Sequence, residues 1–250
     1  MIVAPIDARA HRILAIAAAD GWCSVALGDH GAPPSDEVVR EMPVDNFHSA
    51  VLLEMVDTVL RAADCPLATI GGVVFDGGPG GFTNLRIGCA VAQGLAFAAG
   101  VRVAAVPSLH TLAHHLAGIE PCDESLVLSD ARMGEVYGAS FRRVAGGVAA
   151  VRDGLGPLSM VQATAMIEQM PAGASFGGSG FDRHVALAEA ARARGGRLTP
   201  GLRIHAQTML RVADRLDRWV AAAEAAPLYV RDKVALDIDE QRNLHVADRR

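Results

Sequence analysis

Residues 78–88 read Gly-Pro-Gly-Gly-Phe-Thr-Asn-Leu-Arg-Ile-Gly. A short apolar run, Gly72 to Phe75 (GVVF), precedes them and predicts a buried strand. After them, small and apolar residues run from Thr83 to Ala99, and Gly100 stands where a helix ends in the left-handed conformation. Strand, glycine turn and helix in that order predict an α/β unit. Two readings of the turn stay open. Free N–H groups and the helix dipole can hold an anion there, which makes Gly78, Gly80, Gly81 and Thr83 candidates for a phosphate-type site. Glycine is equally the residue for a tight turn with positive φ and close packing. No Gly-Lys-Ser/Thr follows, so this is not a P-loop, and Thr at position 83 breaks the dinucleotide fingerprint.

Upstream, Arg12 to Ala17 (RILAIA), Trp22 to Leu27 and Val38 to Met42 read as three strands before any helix, an antiparallel meander. His48 to Ala63 is a predicted helix with Asn46 as its N-cap, because apolar residues recur at 51, 52, 55, 56, 59 and 60. Val101 to Val106 closes this half as a strand. The order β-β-β-α-β-α-β describes a meander extended by right-handed crossovers.

Downstream, Pro107 and Ser108 mark a boundary, with Ser108 as the expected cap of a helix over 109–117. Strands are expected at 125–129, 135–143 and 148–153, and Asp130 and Arg132 are expected to pair across the turn between the first two. A helix is expected at 159–170. Ser175 to Gly180 is expected as a strand entering a second glycine turn, 177–180. Helices are expected at 182–193 and, as one long element, at 206–224. The two halves read as related lobes: 1–106, completed by the helix at 206–224, and 107–205. Residues 231–250 are expected to form a mobile tail.

Composition narrows the classes. The chain has 250 residues, 51% hydrophobic and 20% charged, which excludes a disordered protein. With 26 glycines and 4% aromatics, the core must be built from small aliphatic side chains. A net charge of −5 gives no general attraction to nucleic acid or anionic membrane. Cys23, Cys65, Cys89 and Cys122 make no CxxC pair and are expected as buried thiols. Neither a signal peptide nor an apolar run of about 18 residues is seen, so a soluble, cytoplasmic protein without a membrane partner is expected.

GPGGFTNLRIG resembles the GPGSFTGLRIG signature of the TsaB (YeaZ) family. LAIAAADGWCSVAL, His48-Ser49, Val106-Pro107-Ser108-Leu109, Asp130-Ala131-Arg132-Met133-Gly134-Glu135-Val136-Tyr137 and Pro227-Leu228-Tyr229-Val230-Arg231 are similar to further family segments, in order. The resemblance implies an α/β fold of two actin/sugar-kinase/Hsp70-like (ASKHA) lobes, each a mixed sheet with flanking helices. It implies a non-catalytic subunit that binds TsaD, with TsaE as the ATPase partner, and supports threonylcarbamoyl transfer to adenosine 37 of tRNA. On this reading the chain contacts tRNA only indirectly, forms a homodimer when alone, and needs no cofactor of its own, with ATP or ADP placed at the complex interface.

The residues bear on that implication. Active superfamily members carry a carboxylate at the end of the first strand, and in the matched register that position is Ala17, followed by Ala18. Asp20 lies three residues beyond Ala17. An autonomous ATPase or kinase is therefore the weaker alternative. A metallopeptidase-like protein is another: the HxxxH pair of TsaD falls on Ser108 and Leu112. His110 and His114, with His115 beside them, have ligand spacing but stand two residues out of register. For the partner surface, the first helix offers His48, Val51, Leu52, Met55 and Val59. The second offers Asn84, Arg86, Gly88, Ala92 and Ala96. Asn84, Gly88, Ala92 and Ala96 recur every four residues, a smooth face that another helix can approach.

Overall fold

The computed structural model describes residues 12–19, 21–29, 31, 36–44, 48–153 and 156–228. Strand β1 (Arg12–Ala19) pairs antiparallel with β2 (Trp22–Asp29), and β2 with β3 (Val38–Pro43). Helix α1 (His48–Ala62) leads to β4 (Gly72–Gly78), and α2 (Phe82–Ala99) leads to β5 (Arg102–Pro107). Both returning strands run parallel, giving a five-stranded sheet in the order β3-β2-β1-β4-β5. Gly100 ends α2 in the left-handed conformation (φ 70°), as its position predicts.

The second half repeats the plan. After α3 (Ser108–Ile119) come β6 (Glu124–Arg132), β7 (Glu135–Val144) and β8 (Gly147–Asp153), an antiparallel meander. A two-residue strand, β9 (Leu158–Ser159), pairs with β7. Helix α4 (Met160–Gln169) then leads to β10 (Ser175–Gly177). Helices α5 (Ser179–Arg183) and α6 (Val185–Ala193) lead to β11 (Arg197–Thr199), and α7 (Ala206–Ala213) follows. Strands β10 and β11 run parallel to β6, so the second sheet is β11-β10-β6-β7-β8. The chain is thus mixed α/β with two mixed sheets.

Strand periodicity explains the layers. Successive side chains point to opposite faces of a strand. Ile13, Ala15 and Ala17 of β1 enter one core, shared with α3, α7, Val127, Ala139 and Phe141 between the two sheets. Leu14, Ile16 and Ala18 enter another, under α1 and α2. A third core lies beneath α4, α5 and α6 on the far side of the second sheet. Five layers result: helices, sheet, helices, sheet, helices. The scarcity of aromatics shows here, since Phe75, Phe141 and Phe176 are the largest fully buried side chains. All four cysteines are buried thiols, and burial pushes the Cys23 thiol up to about 11.

Several expected elements change. The long helix expected at 206–224 stops at Ala213. Beyond it the backbone is extended, because Val220 exchanges two hydrogen bonds with Val103 and the Trp219 carbonyl accepts from Arg102. A short 3-10 turn, Ala222–Glu224, is all the helix that remains there. Still, α7 packs against β1 and β2 of the first sheet. The helix expected at 182–193 is two helices, broken at His184, whose ψ of 93° is extended. The strand expected over 175–180 ends at Gly177, since Gly178 turns the chain with φ 106°. Ser108 does not cap α3. Pro107 takes that place, and Ser108 is the first helical residue with its side chain buried inward. Ser159, by contrast, caps α4 in a full capping box with Gln162. Asn46, Asp20, residues 1–11, most of the 227–231 segment and the tail at 231–250 lie outside the described residues.

Among the described residues, no helix is long and apolar enough to cross a membrane.

Candidate functional site

The glycine loop at the end of β4 is built around a carboxylate absent from the residues singled out above. Asp76 is buried in a strand otherwise apolar or glycine. Its Oδ1 accepts hydrogen bonds from the Ser108 hydroxyl and, at 3.3 Å, from the Gly78 backbone N–H. A lone acidic residue after four apolar positions and before two glycines is the signal that could have found it. Its carboxyl oxygen takes up a loop donor at the turn considered for phosphate.

Packing accounts for the first glycines. A Cβ on Gly77 would stand 2.8 Å from the Ala105 Cβ, and one on Gly78 would stand 3.0 Å from Leu85 and 3.2 Å from the Leu228 carbonyl oxygen. Gly78 also has φ 97°. The Leu228 N–H donates to the Gly77 carbonyl at 2.7 Å, so the loop is sealed on that side by the chain itself. Gly80 and Gly81 face more open space, and Thr83 is exposed. Gly81 flanks α2 without a side-chain cap. Of the four candidate phosphate residues, then, Gly78 is engaged in close packing, whereas Gly80, Gly81 and Thr83 border the helix N-terminus.

The position that the resemblance matches to a carboxylate carries no polar group. Ala17 and Ala18 are buried in β1 opposite Ser24 and Cys23. The three histidines of α3 diverge. His110 Nε2 lies 3.0 Å from the Val148 carbonyl, His115 Nδ1 lies 3.1 Å from the Arg203 carbonyl, and His114 packs against Gly147. Among the described residues, no group of three His, Cys, Asp or Glu side chains could hold a metal. Burial is the main cause that lowers His114 and His115 below the usual histidine range.

The expected partner face needs revision. Leu52, Met55 and Val59 of α1, and Gly88, Ala92 and Ala96 of α2, are buried inside the chain's own core. The small residues of α2 face the sheet: a Cβ on Gly88 would sit 4.0 Å from the Ala18 Cβ. The four-residue repeat marks close helix-to-sheet packing and is turned away from any partner. Val51 and Asn84 are half-buried, Arg86 is exposed, and the His48 side chain lies outside the described residues. A further side of α2 is covered by the segment at 222–225, where Gln93 donates to the Ala225 carbonyl at 3.0 Å.

What α1 and α2 do present outward is different. Arg86, Ala90, Gly94 and Phe97 are exposed at spacings of three and four, one face of α2. Phe97 is 82% exposed and Leu53 of α1 is 52% exposed. The Arg86 guanidinium lies 3.6 Å above the Phe82 ring, a cation–π contact that holds it in place. Ala90 and Gly94 thus form an exposed small-residue stripe between Arg86 and Phe97.

Comparisons with known proteins identify relatives of this chain. The family model for TsaD, tRNA N6-adenosine threonylcarbamoyltransferase, matches residues 43–177. The tRNA threonylcarbamoyladenosine biosynthesis protein TsaB of Escherichia coli strain K12 is 37% identical over 139 residues, 55% of this chain and 58% of that protein. The protein of the same description from Haemophilus influenzae is 32% identical over 125 residues, 50% of this chain and 51% of that protein. The matched stretch thus spans little more than half the length of these curated relatives. Among solved structures, an uncharacterized protein with similarity to peptidase YeaZ from Pseudomonas aeruginosa superposes with a TM-score of 0.75 at 28% identity. It covers 88% of this chain and all of that one. YeaZ from Pseudomonas aeruginosa gives 0.73 at 28% identity, covering 88% and 99%.

Proposed function

Because this chain belongs to the TsaB (YeaZ) family and carries a TsaD-type domain over residues 43–177, we propose that it serves tRNA threonylcarbamoyladenosine formation as a non-catalytic subunit. In this role it binds a TsaD-like protein, which performs the transfer, and works with a TsaE-like ATPase. The repeated meander-and-crossover plan of the two sheets supports a pair of ASKHA lobes divided near residue 107, with α7 returning to the first. The single observation that carries the non-catalytic reading is the pair Ala17 and Ala18. Where the superfamily needs a carboxylate to organise metal and phosphate, this chain has methyl groups packed into its core. Asp76 beside Gly78 supports the same reading, because its carboxyl oxygen already takes up the Gly78 N–H, a donor that a phosphate would need.

The partner surface is the outward side of α1 and α2, with Arg86, Ala90, Gly94, Phe97 and Leu53. A stable contact there should bury roughly 1,200–2,000 Å² in total. In the absence of the TsaD-like protein, the same surface serves a homodimer. ATP or ADP, where it takes part, sits at the interface of the complex, and tRNA is met through the partner. The test is co-purification of the full chain with a TsaD-like protein from the same cell. A stable heterodimer is expected, and a chain that stays apart at micromolar concentrations would defeat the proposal.

A further inference from the structure

A cavity of about 390 Å³ lies at the β5 edge of the first sheet, beneath the stretch that follows α7. That stretch is fastened at three points. Val220 exchanges two hydrogen bonds with Val103 of β5, the Ala225 carbonyl accepts from Gln93 of α2, and the Leu228 N–H donates to the Gly77 carbonyl at the end of β4. Between these points the chain stands off the sheet edge. Phe75, Leu216, Val220 and Pro227 give the space apolar walls.

Three polar features border it. Val103 bonds outward to Val220, and backbone direction alternates along a strand, so Ala105, two residues on, presents its N–H and carbonyl along the same edge. Among the described residues, no hydrogen bond joins Ala105 to the stretch opposite. Arg218 and Glu224 also line the cavity, and both are exposed. Glu224 uses one oxygen to accept the Ala221 N–H, at 3.4 Å. Among the described residues, no carboxylate or carbonyl takes up the Arg218 guanidinium, and the two charges form no ion pair with each other. A positive and a negative group thus stand on one apolar cavity without neutralising each other.

We propose that this cavity binds a zwitterion with an apolar side chain, carried by a free α-amino acid or by a short peptide. The Arg218 guanidinium takes the carboxylate and Glu224 takes the ammonium, each through a charge-assisted hydrogen bond. The Ala105 N–H and carbonyl match the same two groups, and the apolar walls cover the side chain. A simple anion or cation would leave one of the two charges unmet. The volume falls within the roughly 300–1,000 Å³ of small-molecule sites, which pair apolar walls with a few convergent polar groups in this way. The site does not depend on the partner reading.

The experiment is isothermal titration of the full chain with leucine, leucyl-leucine, N-acetyl-leucine and isopentylamine. Saturable binding of leucine or leucyl-leucine is expected. N-acetyl-leucine lacks the ammonium and isopentylamine lacks the carboxylate, so each should bind about tenfold more weakly than leucine, the loss of one charged hydrogen bond. Tighter binding of leucine identifies a site for a free amino acid, and tighter binding of leucyl-leucine identifies a site for a peptide. Arg218→Gln should erase the preference for leucine over isopentylamine. Glu224→Gln, whose amide oxygen can still accept the Ala221 N–H, should erase the preference over N-acetyl-leucine. Thermal unfolding checks that each variant is folded, and the ligand series on the parent chain needs neither. Failure of both leucine and leucyl-leucine to bind, equal affinity across the series, or preferences that persist in the folded variants overturns the proposal.

Discussion

The Ser108 hydroxyl donates a hydrogen bond to Asp76 Oδ1, tying the first turn of α3 to the end of β4. Both groups are buried, and the bond joins the first sheet to the helix layer between the sheets. Ser108→Ala removes a donor from a buried carboxylate without changing the backbone. The expected cost is about 1–3 kcal/mol in unfolding free energy, read from denaturant midpoints with unchanged slope. A variant as stable as the parent would show that the bond contributes nothing net.

The two sides of α2 predict opposite outcomes. Ala92 is fully buried against the sheet, so Ala92→Arg should unfold the chain. Ala90 and Gly94 point outward, so Ala90→Arg should leave the unfolding midpoint within a few degrees and abolish heterodimer formation. Sedimentation with and without the TsaD-like protein reads both effects. Normal assembly by the Ala90→Arg variant would remove this face from the proposed interface.

Glycines that look alike in sequence should differ sharply. Gly178 has φ 106° and faces the Leu128 carbonyl, so Gly178→Ala should cost at least about 2 kcal/mol. Gly88 sits in regular helix with its nearest neighbour 4.0 Å from an added Cβ. Gly88→Ala should be neutral or stabilising, by up to about 1 kcal/mol. Thermal unfolding of the two variants side by side separates them.

Acid should weaken the fold in two stages. His114 and His115 are lowered below 6.5, chiefly by burial, so the unfolded chain takes up more protons than the folded one below that pH. Their contribution is present above 6.5 and lost as pH falls toward their folded values. Burial alone would raise Glu41, but hydrogen bonds from His205, at 2.5 Å, and from Ser24 outweigh it and hold the carboxyl below 4.5. Its contribution is lost further down, as pH falls below 4.5. The unfolding midpoint should therefore drop between pH 7.5 and 5.5. Replacing both histidines by Gln should flatten that first drop and leave the later one.

Local periodicity made much of the fold legible. Helix α1 carries an apolar repeat of about three and a half residues, and β1 and β4 are short unbroken apolar runs bounded by turn residues. Where tertiary contacts override local preference, the pattern misleads. The Ala-rich stretch after Ala213 has helical composition, yet Trp219 and Val220 hold it extended along β5. The small-residue repeat of α2 was visible, but not which side it faced. A close approach to a partner and a close approach to its own sheet ask for the same residues. Asp76 was harder, because its partner, Ser108, is distant in sequence, and Arg183 was harder for the same reason, since it meets Asp130.

The most direct measurement is the rate at which threonylcarbamoyladenosine forms on tRNA in a reconstituted mixture of the TsaD-like transferase, the TsaE-like ATPase, ATP and threonylcarbamoyl-adenylate, with this chain present or omitted. Modified adenosine is expected to accumulate over repeated turnovers only with the chain present, and to be lost again with Ala90→Arg. Equal accumulation without the chain would contradict the central claim that it is a required subunit.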